Sequence, residues 1–341
     1  MGVDLAGIIL RKEIDFNYLK NKSVAIDAFN ALYQFLSSIR GQDGSYLMDS
    51  KGRVTSHLQG LFARSLNLMG KGIKLVYVFD GEPPKLKIKE NIKRSERKLG
   101  AEERYKEAVS EEDLDAMYKY SKQFMRLNDE MIEESKELVK ALGIPVVQAP
   151  SEAEGQAAFM CKSKLVDFAA SQDYDSLLFG APKLIRNLTL SQKRKIRGGK
   201  IVYTFLELVE LQNVLKELGV NQEQLIALGV LIGTDFNPGG VKGIGPKKAL
   251  KLIQENKTMK DFDRMFNDLN IDFDWKEVYE IFDNLPVEKV KLKWGAIDEE
   301  DVRRLLVDEH DFSLERVNSS LNKYKEENKD SNQKGLREFF G

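Results

Sequence analysis

The sequence has one cysteine, Cys161, and two histidines, His57 and His310, among 341 residues. A single cysteine cannot form an internal disulfide, so the composition gives no indication of an oxidising compartment. A metal site of the Cys-His-Cys type is excluded for the same reason. We expect Cys161 to be a core thiol and the two histidines, which are far apart in the sequence, to be surface or packing residues.

Long apolar runs are absent as well. The longest is far below the ~18 residues that a membrane-spanning helix needs, and no signal peptide is visible. The start Met1-Gly2 is compatible with myristoylation, but Ala6 stands where that signal needs Ser or Thr. We therefore expect a soluble, intracellular, cytoplasmic protein that has no membrane contact.

Neither sign of charge dominates. The 53 Lys and Arg residues nearly balance the 54 Asp and Glu residues, which gives a net charge of −1. Overall charge therefore identifies no partner, and only its distribution along the chain is informative. A hydrophobic fraction of 42% supports a real core, and the length suits one large domain or two ordinary ones.

Short apolar segments alternate with amphipathic segments in the first half of the chain. We predict strands at 24–28, 75–79, 146–147 and 167–171, and helices at 30–39, 56–69, 130–142 and 152–162. Several strands are continuous apolar runs, which is typical of a parallel sheet covered by helices on both faces. The predicted fold class is therefore α/β.

The second half follows a different pattern. Residues 193–205 predict a hairpin that turns at Gly198-Gly199. From Leu206 to about residue 320 the pattern is helical, and the polar segment 326–334 predicts disorder.

Acidic residues are concentrated at the ends of the predicted elements. The candidates are Asp27, Asp80, Glu152, Glu154, Asp173, Asp175 and Asp235. In open α/β sheets ligands bind at the carboxyl ends of the strands, so we expect the strand-end aspartates to converge. Carboxylate oxygens suit Mg²⁺ or Mn²⁺ rather than zinc. Two such ions ~4 Å apart would neutralise the acids and promote phosphodiester hydrolysis.

Several of these acids also have a structural explanation. Ser151 and Glu154 have the spacing of a helix capping box. Glu152 would gain from the helix dipole at the start of the same helix. Asp175 could be an ordinary turn residue, so the acids favour a metal site as a set rather than singly.

Basic segments lie on either side of the acidic cluster. Lys87 and Arg94 are seven residues apart, so in a helix they share a face. Both residues come soon after Asp80, so a helix here could hold a phosphate beside the acids. A solvated surface helix, which has no such function, would have the same composition. The segment 193–200 contains basic residues and no acids, which suits either a grip on a nucleic-acid backbone or an exposed ribbon.

Residues 229–253 predict a helix, a glycine-rich turn and a second helix. Gly243 and Gly245 would let backbone N–H groups approach a phosphate at a helix N-terminus. Pro246 suits the first turn of that helix, and Lys247 and Lys248 add positive charge. This pattern is typical of a helix-hairpin-helix, which binds the backbone of duplex DNA without reading its sequence.

With these features in place, the sequence resembles the flap endonucleases of the structure-specific 5′ nuclease family over residues 1–340. The resemblance rests on the motifs MGVDLAGI, AIDAFNALYQFL, VYVFDGEPPKLK, APSEAEGQAA, SQDYDSLLFG, LIGTDFNPGGVKGIGPKKAL and QKGLREFF. It implies a PIN-like fold and a site for two Mg²⁺ ions, replaceable by Mn²⁺, formed by the seven acids. It also implies that Lys87 and Arg94 act on the scissile phosphate, that Tyr33 stacks on a base near the cut, and that Gly2 lies near the active site. A K⁺ ion at the helix-hairpin-helix is a further implication.

The last residues are similar to the peptide with which such enzymes bind the sliding clamp, PCNA. The residues of this motif are Gln333, Leu336, Phe339 and Phe340. Leu336 and the two phenylalanines would cluster on one side of a tight turn and fill an apolar pocket, whereas a frayed terminus is the alternative. The chain stops at Gly341 without the basic extension of eukaryotic members, which favours an archaeal-type member without nuclear targeting.

The resemblance also implies a domain plan and an activity. A nuclease domain would span 1–325, with an N-region at about 1–98, a helical arch at about 85–134 and an I-region at about 116–258. A flexible tail at 326–341 would carry the clamp peptide at 333–340. The implied monomeric enzyme removes 5′ flaps from branched DNA in replication and repair and has a 5′-3′ exonuclease activity. A gap or bubble nuclease and a non-catalytic, clamp-tethered scaffold for branched DNA are the alternatives.

Overall fold

A computed structural model describes residues 2–41, 45–88, 100, 104, 127–195 and 201–340, with side chains omitted at 194–195 and 329–340. Nine strands lie within these ranges. They are β1 (Lys12–Ile14), β2 (Ser23–Asp27), β3 (Lys74–Phe79), β4 (Val146–Gln148), β5 (Phe168–Ala170), β6 (Lys183–Arg186), β7 (Lys193–Lys195), β8 (Ile201–Tyr203) and β9 (Leu206–Glu210).

Seven of these strands form one mixed sheet in the order β1-β9-β6-β5-β2-β3-β4. Strands β4, β3, β2, β5 and β6 are parallel to one another, which confirms the predicted parallel sheet. Strand β9, at one side of the sheet, runs antiparallel to both β6 and β1.

Helices cover both faces of this sheet. Those of the first half are α1 (Ala28–Ser38), α2 (Ser56–Gly70), α3 (Asp129–Ala141), α4 (Ala153–Lys162) and α5 (Asp175–Leu178). Those of the second half are α6 (Leu211–Leu218), α7 (Gln222–Ile232), α8 (Pro246–Glu255), α9 (Met259–Asp268), α10 (Trp275–Asp283), α11 (Glu299–Arg303) and α12 (Leu314–Phe340). The described residues also include a 3₁₀ turn at Phe16–Leu19, a π-helical segment at Arg304–Asp308 and helical residues at 85–88.

Strand β2 illustrates why the strands are apolar throughout. Val24 and Ile26 belong to the core that contains residues of α1 and α2. Ala25, between them, belongs to a separate core that contains residues of α4. Because side chains alternate between the faces of a strand, a sheet buried on both faces needs apolar residues at consecutive positions.

The order of the strands creates a crevice at their carboxyl ends. From β2 the chain proceeds to β3 and β4 on one side, and then returns to β5 and β6 on the other. The order therefore reverses between β2 and β5, which is where open α/β sheets bind their ligands. Asp27 ends β2, and Asp173 follows the end of β5.

The predicted helical pattern from Leu206 onward is wrong at its start, because residues 206–210 form β9. In this segment Leu206 and Leu208 are buried in the core that contains α1 and α2, whereas Val209 is buried in the core of the second half. Such alternation is the period of a strand. The segment with the two-residue period is short and α6 follows it directly, so the sequence analysis assigned it to the helix.

The predicted hairpin at 193–205 is confirmed by the antiparallel pairing of Lys193 with Tyr203 in β7 and β8, while the Gly198-Gly199 turn lies outside the described residues. The backbone is helical through 326–340, where the sequence predicts a flexible, disordered tail. Among the described residues, no helix is both long and apolar enough to cross a membrane.

The two histidines of the chain lie together in the interior. His57 is fully buried and His310 is 2% exposed. Both face the carboxylate of Glu134 in α3, at 3.6 Å from His57 Nε2 and 3.1 Å from His310 Nε2. Their sequence separation therefore gave no guide to their position, and neither is a surface residue.

Gly81 follows β3 and packs against the segment that precedes α4. Replacing it tests how closely the two backbones approach each other. A Cβ atom on Gly81 would collide with the carbonyl oxygen of Ala149 and lie 2.7 Å from the carbonyl carbon of Pro150. Backbone atoms cannot move aside as a flexible side chain can. Gly81→Ala should lower the free energy of unfolding by about 1–3 kcal/mol, as measured by denaturant titration.

Gly7→Ala is the matched control, because a Cβ atom at this exposed glycine meets nothing within 4 Å. Its free energy of unfolding should stay within about 0.5 kcal/mol of the parent value. Equal stability of the Gly81→Ala protein and the parent would contradict the close approach of these backbones.

Candidate active site

Asp27 and Asp173 meet across the crevice between β2 and β5. Asp27 is the N-cap of α1, and its Oδ1 accepts a hydrogen bond of 3.0 Å from the backbone N–H of Asn30. The side-chain amide of Asn30 donates to Asp173 Oδ2 over 3.2 Å. Asn30 thus links the two acids. The sequence interpretation missed it, although its position three residues after an N-cap aspartate is a recognisable signal.

Asp80 connects the end of β3 to the helix that carries the two glutamates. Its Oδ1 accepts a hydrogen bond of 2.7 Å from the backbone N–H of Ala153, the first residue of α4. The backbone N–H of Gly81 donates to the carbonyl of Ser151 over 2.6 Å. The N-terminus of α4 is therefore fixed to the carboxyl end of β3, and Glu152 is its N-cap residue.

Asp175 opens α5 directly beyond the loop that carries Asp173. It is 4% exposed, and its Oδ1 accepts a hydrogen bond of 2.6 Å from the backbone N–H of Val3. Gly2 lies against the same loop, since a Cβ atom at this glycine would be 2.7 Å from the Cβ of Asp173. The first residues of the chain thus form one wall of the site.

The electrostatics of the cluster reflect burial and mutual repulsion. Burial and the neighbouring Asp80 raise the pKa of Asp27 to about 8. Burial, together with Asp235 and Asp173, raises the pKa of Asp175 to about 7 against the opposing hydrogen bond from Val3. A carboxylate with such a pKa exchanges its proton near neutral pH, so the metal-free cluster resists full ionisation.

Glu154 is the most strongly affected acid. Burial raises its pKa well above the ordinary value, and Asp175, Asp27 and Asp173 add to the shift. Its Oε1 is buried and has no hydrogen-bond partner among the described residues. A buried oxygen in this state is costly unless a cation or a proton satisfies it.

The predicted capping box of Ser151 and Glu154 does not form. The N-cap of α4 is Glu152 and receives no side-chain capping bond. The hydroxyl of Ser151 instead donates to the carbonyl of Glu82 over 2.9 Å. Because the helix begins one residue later than a capping box requires, capping does not explain the presence of Glu154.

Lys87 reaches into the cluster from the segment that follows β3. Its ammonium forms an ion pair with Glu152 Oε2, and its side chain is 16% exposed. Burial lowers the pKa of Lys87, but Glu152, Asp80 and Asp235 together raise it above the ordinary value. Burial raises the pKa of Glu152 despite this ion pair. Arg94 and most of the predicted arch lie outside the described residues.

The donor set fits a hard divalent cation. Asp235 acts electrostatically on Asp175 and Glu152, so all seven predicted acids belong to one electrostatic neighbourhood. The buried, unpartnered oxygen of Glu154 and the raised pKa values are what carboxylates without a counterion would show. No group of three or more histidine, cysteine, aspartate or glutamate side chains within the described ranges is already arranged as a metal cage.

The residues predicted to bind DNA lie on other elements than the acids, or on other parts of the same ones. Tyr33 is on α1, three residues after Asn30 and so on the same helix face, and it is 38% exposed. The predicted helix-hairpin-helix consists of α7, a turn and α8. Gly243 has a φ of +79° in this turn, Gly245 is the N-cap of α8, and Pro246 is its first residue.

Lys247 and Lys248 are both exposed on the first turn of α8. The residues predicted to bind the clamp fall in the last part of α12, beyond the side chains that the structure describes.

Comparison with known proteins identifies the family to which the chain belongs. The XPG N-terminal domain matches residues 1–101, and the XPG I-region matches residues 143–235. Flap endonuclease 1 of Thermococcus onnurineus is 50% identical over 345 residues, which cover 100% of this chain and 99% of that protein.

Solved structures of the same family also match this chain. Flap endonuclease-1 from Methanococcus jannaschii matches with a TM-score of 0.76 and 40% identity, over 96% of this chain and 98% of that one. The catalytic core of Rad2 in complex with DNA substrate matches with a TM-score of 0.68 and 26% identity, over 92% and 96% of the two chains. With its acids gathered at the switch point of a matching sheet, this chain belongs to the flap endonuclease family of structure-specific nucleases, which hydrolyse phosphodiester bonds.

Proposed function

We propose that this chain is a Mg²⁺-dependent flap endonuclease that removes 5′ flaps from branched DNA during replication, including Okazaki fragment maturation, and repair. It cuts near the junction to leave a ligatable nick and has a weaker 5′-3′ exonuclease activity. The observation that supports this most is the convergence of seven acids at the carboxyl edge of the sheet, with raised pKa values at four of them. We also propose that it acts in the cytoplasm and is a monomer on its own.

Two divalent cations would be held by the seven carboxylates named above. When bound, they would neutralise the cluster, polarise the phosphodiester and activate the attacking water. Mn²⁺ has similar ligand preferences and could replace Mg²⁺.

The chain's own groups supply orientation. Lys87, whose charge is held against Glu152, would transfer its hydrogen bonds to the scissile phosphate when DNA arrives, and Arg94 would assist it. Tyr33 would stack on a base beside the cut. Hydrolysis in this site needs no protein nucleophile.

The helix-hairpin-helix would hold the duplex part of the substrate. The backbone N–H groups near Gly243 and Gly245 would bind a phosphate at the N-terminus of α8, with Lys247 and Lys248 nearby. Backbone carbonyls of the same turn could hold a K⁺ ion. Because these contacts are to phosphates, DNA affinity should fall steeply with salt.

The alternative is a non-catalytic scaffold for branched DNA tethered to the clamp. Its acids would then be structural, and a carboxylate could be lost without effect on cleavage. The buried oxygen of Glu154, which has no hydrogen-bond partner in the part of the chain that the structure describes, disfavours this alternative, because such a group only costs stability in a protein that binds no cation.

The first prediction tests the metal site at Asp173. With Mg²⁺ and labelled DNA carrying a 5′ flap, a gap or a bubble, the parent should cut the flap substrate best. Asp173→Ala should reduce this cleavage by more than about 100-fold, which exceeds the usual cost of losing an outer-shell contact.

Asp167 is the matched control, since it precedes β5 whereas Asp173 follows it. Its carboxylate accepts hydrogen bonds of 2.8 Å from the backbone and hydroxyl of Ser23. Asp167→Asn should therefore keep the activity of the parent. Equal cleavage by the Asp173→Ala protein, or no cleavage by the parent, would exclude the proposed metal chemistry.

The second prediction concerns protons. The folded, metal-free cluster holds protons that an unfolded chain would release, because the pKa of Asp27 rises from 3.8 to about 8 and that of Asp175 to about 7. The metal-free protein should therefore lose stability as pH rises from about 4 to about 8. Added Mg²⁺ should restore more stability at the upper end of this range.

Calorimetry gives the direct measurement. Because Mg²⁺ binding must expel these protons, the observed enthalpy at pH 7 should vary with the ionisation enthalpy of the buffer. Asp27→Asn should reduce that dependence, whereas Asp167→Asn should leave it unchanged. An enthalpy independent of the buffer would contradict the protonated cluster.

The third prediction concerns the sliding clamp. Replacing Phe339 and Phe340 together by alanine should abolish stimulation by PCNA while clamp-free cleavage stays intact, because the two rings would fill the apolar pocket of the clamp. Flap cleavage is measured with and without clamp. Loss of the clamp-free activity would assign these residues a different role.

A further inference from the structure

Arg186 connects the carboxyl end of β6 to the loop that carries two of the acids. It is the last residue of β6, and its side chain is 16% exposed. It is not among the predicted site residues, because a single arginine at a strand end has no motif. Its contacts suggest a role in the reaction.

The guanidinium of Arg186 holds residues 171–175 at two points. Its Nε donates to the backbone carbonyl of Gln172 over 3.0 Å. Its Nη1 donates to the hydroxyl of Tyr174 over 2.6 Å, and its Cζ lies 4.1 Å from the centre of the Tyr174 ring. These two residues flank Asp173, and Tyr174 directly precedes Asp175. Arg186 therefore restrains the backbone from which both acids project.

The guanidinium is also anchored on β9. Arg186 and Glu207 are cross-strand partners in the β6–β9 register, and Arg186 Nη1 lies 2.7 Å from Glu207 Oε2. Glu207 also accepts from Arg11 over 3.3 Å. A charge-assisted bond to a residue on the sheet fixes the guanidinium far better than solvent would.

The geometry requires arginine. The planar guanidinium presents N–H groups in several fixed directions and can stack on an aromatic ring. A lysine could keep the charge opposite Glu207, but its single ammonium could not also hold the Gln172 carbonyl and lie over the Tyr174 ring. The contacts thus distinguish loop positioning from simple charge pairing between neighbouring strands.

We propose that Arg186 is a positioning residue, which fixes residues 171–175 so that Asp173 and Asp175 present their carboxylates to divalent cations. This inference rests on the proposed function, since it takes these two aspartates as cation ligands. In this role Arg186 acts through its contacts with Gln172 and Tyr174.

The test compares Mn²⁺ binding and flap cleavage in the parent and in Arg186→Met. Mn²⁺ affinity is measured without DNA, from the electron paramagnetic resonance signal of the free ion. We expect the dissociation constant to rise about 10–100-fold. The kcat for flap cleavage should fall similarly, while the KM for DNA changes less than about threefold, because DNA-binding elements are untouched.

Two further variants keep the test decisive if Arg186→Met fails to fold. Tyr174→Phe removes only the hydroxyl acceptor and should weaken Mn²⁺ binding in the same direction. Arg186→Lys should recover less than half, on a logarithmic scale, of the Mn²⁺ affinity that Arg186→Met loses. Arg11→Met is the matched control, because Arg11 contacts the same Glu207 but is 37% exposed and, within the described ranges, makes no hydrogen bond to residues 171–175. It should bind Mn²⁺ as the parent does.

The outcomes separate this inference from the proposed function. A parent that neither binds Mn²⁺ nor cleaves flap DNA would overturn the proposed function. A parent that does both, with folded Arg186→Met and Tyr174→Phe proteins of unchanged affinity and kcat, would overturn the positioning role alone. Equal losses in Arg11→Met and Arg186→Met would also overturn it, since they would trace the effect to Glu207.

Discussion

The repulsion among carboxylates at the carboxyl edge of the sheet is the constraint around which this structure is built. Seven acids come from five separate parts of the chain, and burial raises the pKa of Asp27, Glu152, Glu154 and Asp175. Such a cluster opposes folding unless protons, Lys87 or cations compensate it. The buried, unpartnered oxygen of Glu154 indicates that compensation without a cation is incomplete.

The fold tolerates this cluster by giving several acids a second task. Asp27 caps α1, Asp80 binds the first N–H of α4, and Asp175 binds the N–H of Val3. Each of these bonds orients a carboxylate and also satisfies a backbone donor that would otherwise be orphaned. A backbone role and a metal role therefore do not exclude each other, because each of these carboxylates has a second oxygen.

The sequence was least informative where contacts join distant segments. The two-residue period of β9 was hidden by the helix that follows, yet β9 supplies Glu207, the anchor of Arg186. Ser151 has the spacing of a cap, but the hydrogen bond to Glu82 diverts its hydroxyl. His57 and His310 carry no motif, and only packing brings both to Glu134. In each case a tertiary partner outweighs a local preference.

The sequence alone determined the parallel sheet, the acidic residues at its strand ends, the helix-hairpin-helix and the family, because hydrophobic period, glycine positions and motifs are local features of the chain. The tertiary structure decided what these residues do to one another. Burial, the order of strands and the register of β6 against β9 set the pKa values, the pairing of Lys87 with Glu152 and the hold of Arg186 on its loop. Those quantities depend on distances between residues far apart in the chain, which no local pattern encodes.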